Sequence, residues 1–202
     1  MRDDRKPRLI VVAGPNGSGK TTITDKLLRH EWMTGCVYIN PDLIAQQEFG
    51  DWNSQESIAK AAGKAKEMRE NCLSNRTSMA FETVLSTHEK VEFVQRAKVA
   101  GFFVRLFFIC TNEPSINAQR VALRVMEGGH DVPIPKIVSR YYRSIAYSIK
   151  VLPWVDRMYF YDNSKTNADP KLLFRVSDEK IVNIYCDKLI PWAKNITDSF
   201  MI

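Results

Sequence analysis

Residues 14–22 read GPNGSGKTT, a stretch that satisfies the pattern G-x-x-x-x-G-K-[ST] with Gly14, Gly19, Lys20 and Thr21. Such a string arises by chance in about one in 100 chains of this length at average residue frequencies, so its setting decides its meaning. Leu9 to Ala13, just before it, is a continuous apolar run of buried-strand character, and Ile23, Lys26 and Leu27 after it begin a helical pattern. Strand, glycine-rich turn and helix in that order make a phosphate cradle. The glycines let successive N–H groups turn inward, and the helix N-terminus adds its own donors and dipole. Gly14, Pro15, Asn16, Gly17, Ser18, Gly19, Lys20, Thr21 and Thr22 are therefore the candidate nucleotide contacts. Lys20 would reach the β and γ phosphates and the Thr21 hydroxyl would bind Mg²⁺, with ATP the expected nucleotide and adenine the default base.

Working outward, strand-like and helix-like segments alternate, which favours an α/β fold with a mostly parallel sheet and helices on both faces. Val37 to Ile39 and Ser78 to Phe81 are weaker strand candidates, and Phe102 to Cys110 is the strongest. Helical spacing runs from Ser54 to Leu73. Ser86 with Glu89 reads as a capping box opening a helix that stops at Gly101. Another helix starts near Asn112-Glu113-Pro114 and ends at Gly128-Gly129, and a further one spans about Pro135 to Lys150. After a strand at Met158 to Tyr161, Lys171 to Val176 and Lys180 to Tyr185 form an antiparallel hairpin. A final helix from about Asp187 carries Leu189, Trp192, Ile196 and Phe200. With no linker or repeat, residues 1–202 read as one domain, with a lid at about 120–145 and a hairpin plus helix at about 170–202.

In a doubly wound sheet, ligands sit beyond the carboxyl ends of the strands. Asn40-Pro41-Asp42 follows the second strand and Glu82-Thr83 the third. A phosphoryl-transfer enzyme needs a carboxylate to orient the acceptor hydroxyl and take its proton, which makes Asp42 the candidate base; the competing reading is that Asp42 caps the helix beginning at Leu43. Glu82 could bind acceptor hydroxyls, coordinate Mg²⁺ through water or pair with an arginine, and Asn40, Thr83 and Arg120 complete the candidate acceptor contacts. Arg120 and Arg124 share one helix face, so either Glu127 offsets the latter or an anion lies between them. Gly128-Gly129-His130-Asp131-Val132-Pro133 suits a hinge, and the next helix presents Lys136, Arg140, Arg143, Tyr147 and Lys150 at three-and-four spacing. Arg124 and Arg140, nearest that loop, would close over ATP and neutralise the transferring phosphoryl group, whereas His130 reads as a loop hydrogen-bonder.

Of the 202 residues 45% are hydrophobic and 26% charged, which excludes fibrous and wholly disordered classes. A formal charge of +6 asks for an anionic partner, and lysine and arginines around one cleft assign much of it to phosphates. The longest apolar runs fall short of the ~18 residues of a membrane span, and no signal-peptide core follows the N-terminal MRDDRKPR. Cys36, Cys72, Cys110 and Cys186 show no metal-ligand spacing, consistent with free thiols in a cytoplasmic protein. Transporter ATPases share the nine-letter string but also need an LSGGQ-like signature and an apolar strand ending in Asp-Glu; here the long strand runs into Thr111-Asn112.

GPNGSGKTT, then INPDLIA at 39–45, FETVLS at 81–86, RVALRVMEGGHDVP at 120–133 and SRYYRS at 139–144 together resemble the zeta-toxin-like P-loop kinases, including short bacterial members described as predicted ABC-type ATPases. The resemblance covers roughly residues 8–164. It implies Asp42 as general base, Lys20, Arg124 and Arg140 as stabilisers of transferred charge, and Glu82 with Thr83 at the acceptor. It also implies a UDP-N-acetyl amino sugar as acceptor and an antitoxin protein that occludes the nucleotide site. The expectation is an ATP- and Mg²⁺-dependent kinase acting on a small hydroxylated acceptor. The alternative is a nucleotide-dependent regulatory switch acting through a partner. A nucleic-acid enzyme ranks third, because no basic stripe with interleaved aromatics stands out along the sequence beyond the lid.

Overall fold

Strand β1 (Arg8–Ala13) lies in the interior of a seven-stranded sheet because its core residues Leu9 to Ala13 are apolar on both faces, the pattern of a strand covered from both sides. The computed structural model describes residues 6–50, 54–129 and 131–200. The chain continues through α1 (Lys20–Leu28), β2 (Val37–Ile39), α2 (Pro41–Glu48), α3 (Gln55–Ser74), β3 (Met79–Thr83), α4 (His88–Val99) and β4 (Phe103–Cys110). It then forms α5 (Pro114–Met126), α6 (Ile134–Lys150), β5 (Arg157–Asp162), the hairpin β6 (Lys171–Ser177) and β7 (Lys180–Ile184), and α7 (Pro191–Asp198).

The spatial order is β2-β3-β1-β4-β5-β6-β7. The first five strands in this order pair in parallel, and β6 and β7 add on antiparallel. The connection from β1 runs outward to β2 and that from its neighbour β4 runs the other way to β5, so a crevice opens at their carboxyl ends, where the glycine-rich loop begins. Register sets Val12 beside Glu82 and Ala13 beside Thr83, which brings the third-strand acid to the same end.

The expected helices on both faces are present, in unequal layers. One core cluster joins the sheet to α2, α3, α4, α6 and α7 through residues such as Ala61, Val94, Tyr141 and Trp192. The other is covered by Ile23 and Leu27 of α1 and by the short turn at Glu31–Met33. Among the described residues no helix is long and apolar enough to cross a membrane.

Three local expectations change. The α4 cap is Thr87, without a side-chain cap bond, rather than Ser86. Leu85 turns into the core with φ 53° and is fully buried, so Ser86 is still part of the turn that returns the chain from β3. The last helix begins at Pro191, not Asp187, because proline is suited to a first helical position and holds the preceding Ile190 extended. The helix after β2 is capped by Asn40, whose Oδ1 accepts from the Asp42 amide at 2.9 Å. Asp42 is thus in the first turn with its carboxylate free of capping, which removes the competing reading of that residue.

Candidate active site

The phosphate loop is gripped from three directions. The Gly14 amide donates to the Thr83 carbonyl at 3.2 Å, the Asn117 side chain donates to the Asn16 carbonyl at 2.5 Å, and Asn163 donates to the Ser18 carbonyl at 2.9 Å. Asn117 is itself held by the Thr111 hydroxyl, and Tyr141 donates to the Thr111 carbonyl at 2.7 Å. These grips explain two of the glycines. A Cβ on Gly17 would stand 2.5 Å from the Asn117 carbonyl oxygen, and one on Gly19 would stand 2.1 Å from Asn163 Nδ2, both at positive φ. Gly17→Ala meets rigid backbone, so it should destabilise the protein by more than ~1 kcal/mol and remove nucleotide binding. Gly63→Ala, in the exposed middle of α3 with nothing near, should instead stabilise by ~0.5–1 kcal/mol. Thermal melts of the two variants should move in opposite directions.

Lys20 folds back onto the loop, its ammonium donating to the Gly14 and Pro15 carbonyls at 3.0 Å each. Burial lowers its pKa to about 8, while Glu82 and Asp42 pull it up and Arg124 and Arg140 push it down. Phosphate binding needs the cation. Below pH 8 Lys20 already carries its proton, and above it the proton must be taken up on binding. ATP affinity should therefore fall about tenfold as pH rises from 7 to 9. Calorimetry in buffers of different ionisation enthalpy would register the proton uptake; a pH-independent affinity would show that Lys20 does not titrate there.

The same interactions show which sequence candidates meet. Glu82, Asp42, Arg124 and Arg140 all lie close enough to act on the Lys20 ammonium. Arg140 also donates to the Asn16 side chain at 3.2 Å, so an arginine of the second lid helix touches the phosphate loop directly. Glu82 accepts from the Tyr38 hydroxyl at 3.0 Å, and Tyr38 accepts in turn from Asn40. Burial and the adjacent Glu82 push the Tyr38 phenol above its ordinary pKa, keeping it a donor. Asn40 and Thr83 are occupied as scaffolding: Asn40 caps α2, and the Thr83 hydroxyl accepts from the Leu85 amide at 3.2 Å.

Arg120 departs from its expected place. Its guanidinium donates to the carbonyls of Asn163 and Lys165 at 2.8 and 3.4 Å, tying α5 to the loop after β5 rather than to the Glu82 side. The proposed lid is also pinned along α6, because Tyr141 reaches Thr111 and Ser144 donates to the Val84 carbonyl at 2.7 Å. His130 lies outside the described residues.

Thr21 and Thr22 are exposed in the first turn of α1, and the buried Ser18 hydroxyl has no hydrogen-bond partner. Among the described residues no cluster of three His, Cys, Asp or Glu could hold a metal. An exposed hydroxyl at the head of α1 suits Mg²⁺, which takes few protein ligands and completes its shell with phosphate oxygens and water. The Asn117 and Asn163 grips were not anticipated. Asn163 follows a strand end, a position open to the same inspection as Asp42 and Glu82, whereas Asn117 carries no signal in a single sequence.

A family model described as Zeta toxin matches residues 1–152. A Haemophilus influenzae protein described as "Uncharacterized protein" is 28% identical over 134 residues, covering 66% of this chain and 92% of that one. A chain of the AvrRxo1-ORF1:AvrRxo1-ORF2 complex with sulphate ions superposes with TM-score 0.68 at 19% identity, over 90% of this chain and 62% of that one, so this chain spans less than two thirds of its length. A chain from the PezAT chromosomal toxin–antitoxin system of Streptococcus pneumoniae gives TM-score 0.62 at 20% identity, over 100% of this chain and 87% of that one. At these identities the structural likeness is one of fold.

Proposed function

The chain belongs to the zeta toxin family, and from that premise we propose that it is an ATP-dependent kinase that transfers the γ-phosphate to a hydroxyl of a small acceptor, a UDP-N-acetyl amino sugar being the first candidate. The observation that carries this reading is the convergence of two carboxylates, Asp42 and Glu82, and two lid arginines, Arg124 and Arg140, on the Lys20 ammonium.

The loop amides and Lys20 hold the β and γ phosphates. Asp42 accepts the proton of the acceptor hydroxyl as its oxygen attacks the γ-phosphorus, and ADP leaves with the electrons of the broken P–O bond. Tyr38 holds Glu82 beside the path of the acceptor, and Arg124 and Arg140 offset charge on the moving phosphoryl group. Thr21 would hold Mg²⁺, which would supply neutralisation of phosphate charge when bound. The setting we propose is the cytoplasm. An antitoxin seated over the nucleotide site is the proposed regulator, supported by the family and by the fold shared with a chain of the PezAT toxin–antitoxin system.

Incubating the purified protein with ATP, Mg²⁺ and a panel of UDP-sugars, nucleosides and small alcohols tests the proposal by mass spectrometry. The expected product is one acceptor heavier by a phosphoryl group. ATP bound with no acceptor modified would instead support a nucleotide-dependent switch.

A further inference from the structure

The links from β5 to β6 and from β6 to β7 are antiparallel returns, not helical crossovers, so the chain supplies no helix of its own for one face of these strands. α1 and the Glu31–Met33 turn cover the β1 and β4 part of that face and its edge at Tyr159, Tyr161 and Leu172, leaving the β6–β7 part beyond them. Register places Arg105 beside Arg157, Tyr159 beside Arg175, and Arg175 beside Asn183, so the strip carries guanidinium groups across adjacent strands. The sheet thus assembles a basic stripe with aromatic neighbours from residues far apart in sequence.

This stripe lacks counter-charge. Among the described residues, Arg105, Arg157 and Arg175 form no ion pair, nor do Asp178 and Glu179 on the adjacent turn. Arg105 is 7% exposed, yet its Nε has no hydrogen-bond partner, and the Arg175 Nε is in the same condition. The Arg105 guanidinium lies 3.6 Å over the Trp32 ring and 5.3 Å from the centroid of Phe103, which Arg157 approaches from 5.8 Å. Burial lowers the Arg105 pKa; Tyr159, which also hydrogen-bonds the guanidinium, opposes the fall, and the like charges of Arg157 and Arg8 add to it by less. Cations gathered with unsatisfied N–H groups and no carboxylate are costly unless an anion completes them.

We propose that the β5–β7 face is a docking surface for one acidic, amphipathic helix of a partner protein, its carboxylates pairing with Arg157 and Arg175 and its apolar side packing on Phe103, Tyr161 and Tyr185. Three strands span about 10 Å between the outer two, the diameter of one helix, and beyond the buried Tyr159 no helix of the chain lies on this face, where a doubly wound sheet would carry one. A nucleic acid fits less well, because Tyr159 is buried and one face of Trp32 is taken by Arg105, which leaves few ring faces for base stacking. Arg157 opens β5, so the basic part of this surface lies at the end of the sheet opposite the phosphate loop, and only Tyr161 approaches the loop end.

The test uses the full chain and a fluorescein-labelled helical peptide of leucine and glutamate, read by anisotropy, with a leucine–lysine peptide and labelled oligouridylate as comparisons. The acidic peptide should bind best, weaken with salt, be indifferent to ATP, and lose about tenfold or more in affinity in R157E/R175E. K180E/N183E, changing two exposed β7 positions, should act in the same direction and guards against a folding defect in the first variant. Equal binding of the two peptides, tighter binding of oligouridylate, or affinity unchanged in both variants overturns the proposal.

Discussion

Asp42→Asn should lower phosphoryl transfer by ~10²–10⁴-fold while leaving ATP affinity nearly unchanged. Asparagine keeps the size and much of the hydrogen bonding of the carboxylate but cannot take the acceptor's proton. Helix α2 tolerates the change because its cap is Asn40, not Asp42. The cost to the fold is the loss of one negative charge in the first helical turn, about 0.3–1 kcal/mol. A second readout comes through Lys20, since Asp42 raises its pKa and the variant should move the pH midpoint of ATP binding downward. Single-turnover transfer measured beside equilibrium ATP binding separates the two quantities. A variant that transfers phosphate at the parent rate would remove Asp42 from the chemistry, and one that hydrolyses ATP normally with no transfer in either form would favour the switch.

The phosphate loop and the strands were legible because their signals are local: an apolar run, glycines at fixed spacing and a helix start within a few residues. The hairpin was legible for the same reason, two β-rich runs around Ser177-Asp178-Glu179, although the turn is made by Asp178 and Glu179 at positive φ without a glycine. The Asn40 cap was readable in principle, since Pro41 favours the first helical position and so places the cap one residue earlier. What the sequence conceals is contact across long separations. Asn117 holds Asn16 from 101 residues away and Asn163 holds Ser18 from 145. Arg120 shows why spacing misleads: it shares a face with Arg124, but its partners on the loop after β5 exist only once the sheet has formed. The arginine stripe on β4, β5 and β6 is concealed in the same way.

Arg140→Ala should reduce transfer by ~10³-fold, the scale on which an arginine offsets charge at a transferring phosphoryl group. The residue occupies a fixed position rather than a waving one: Tyr141 and Ser144 pin the adjacent turn of α6, and the Arg140 guanidinium donates to Asn16 within the phosphate loop. Its burial, and to a smaller extent its neighbour Arg143, depress its pKa, so its charge is incompletely solvated and available to a phosphate. Arg140→Lys keeps the charge but loses the planar fork, and transfer should fall to an intermediate level. The titration of Lys20 supplies an independent check on placement. Arg124 and Arg140 both lower its pKa, Arg124 the more, so removing either should shift the pH midpoint of ATP binding upward, with the larger shift for Arg124→Ala. A surface arginine that merely solubilises the helix would change neither kcat nor that midpoint. Loss of transfer without a midpoint shift would mean that Arg140 acts only after the nucleotide has closed the lid, and an unchanged rate would remove it from the reaction.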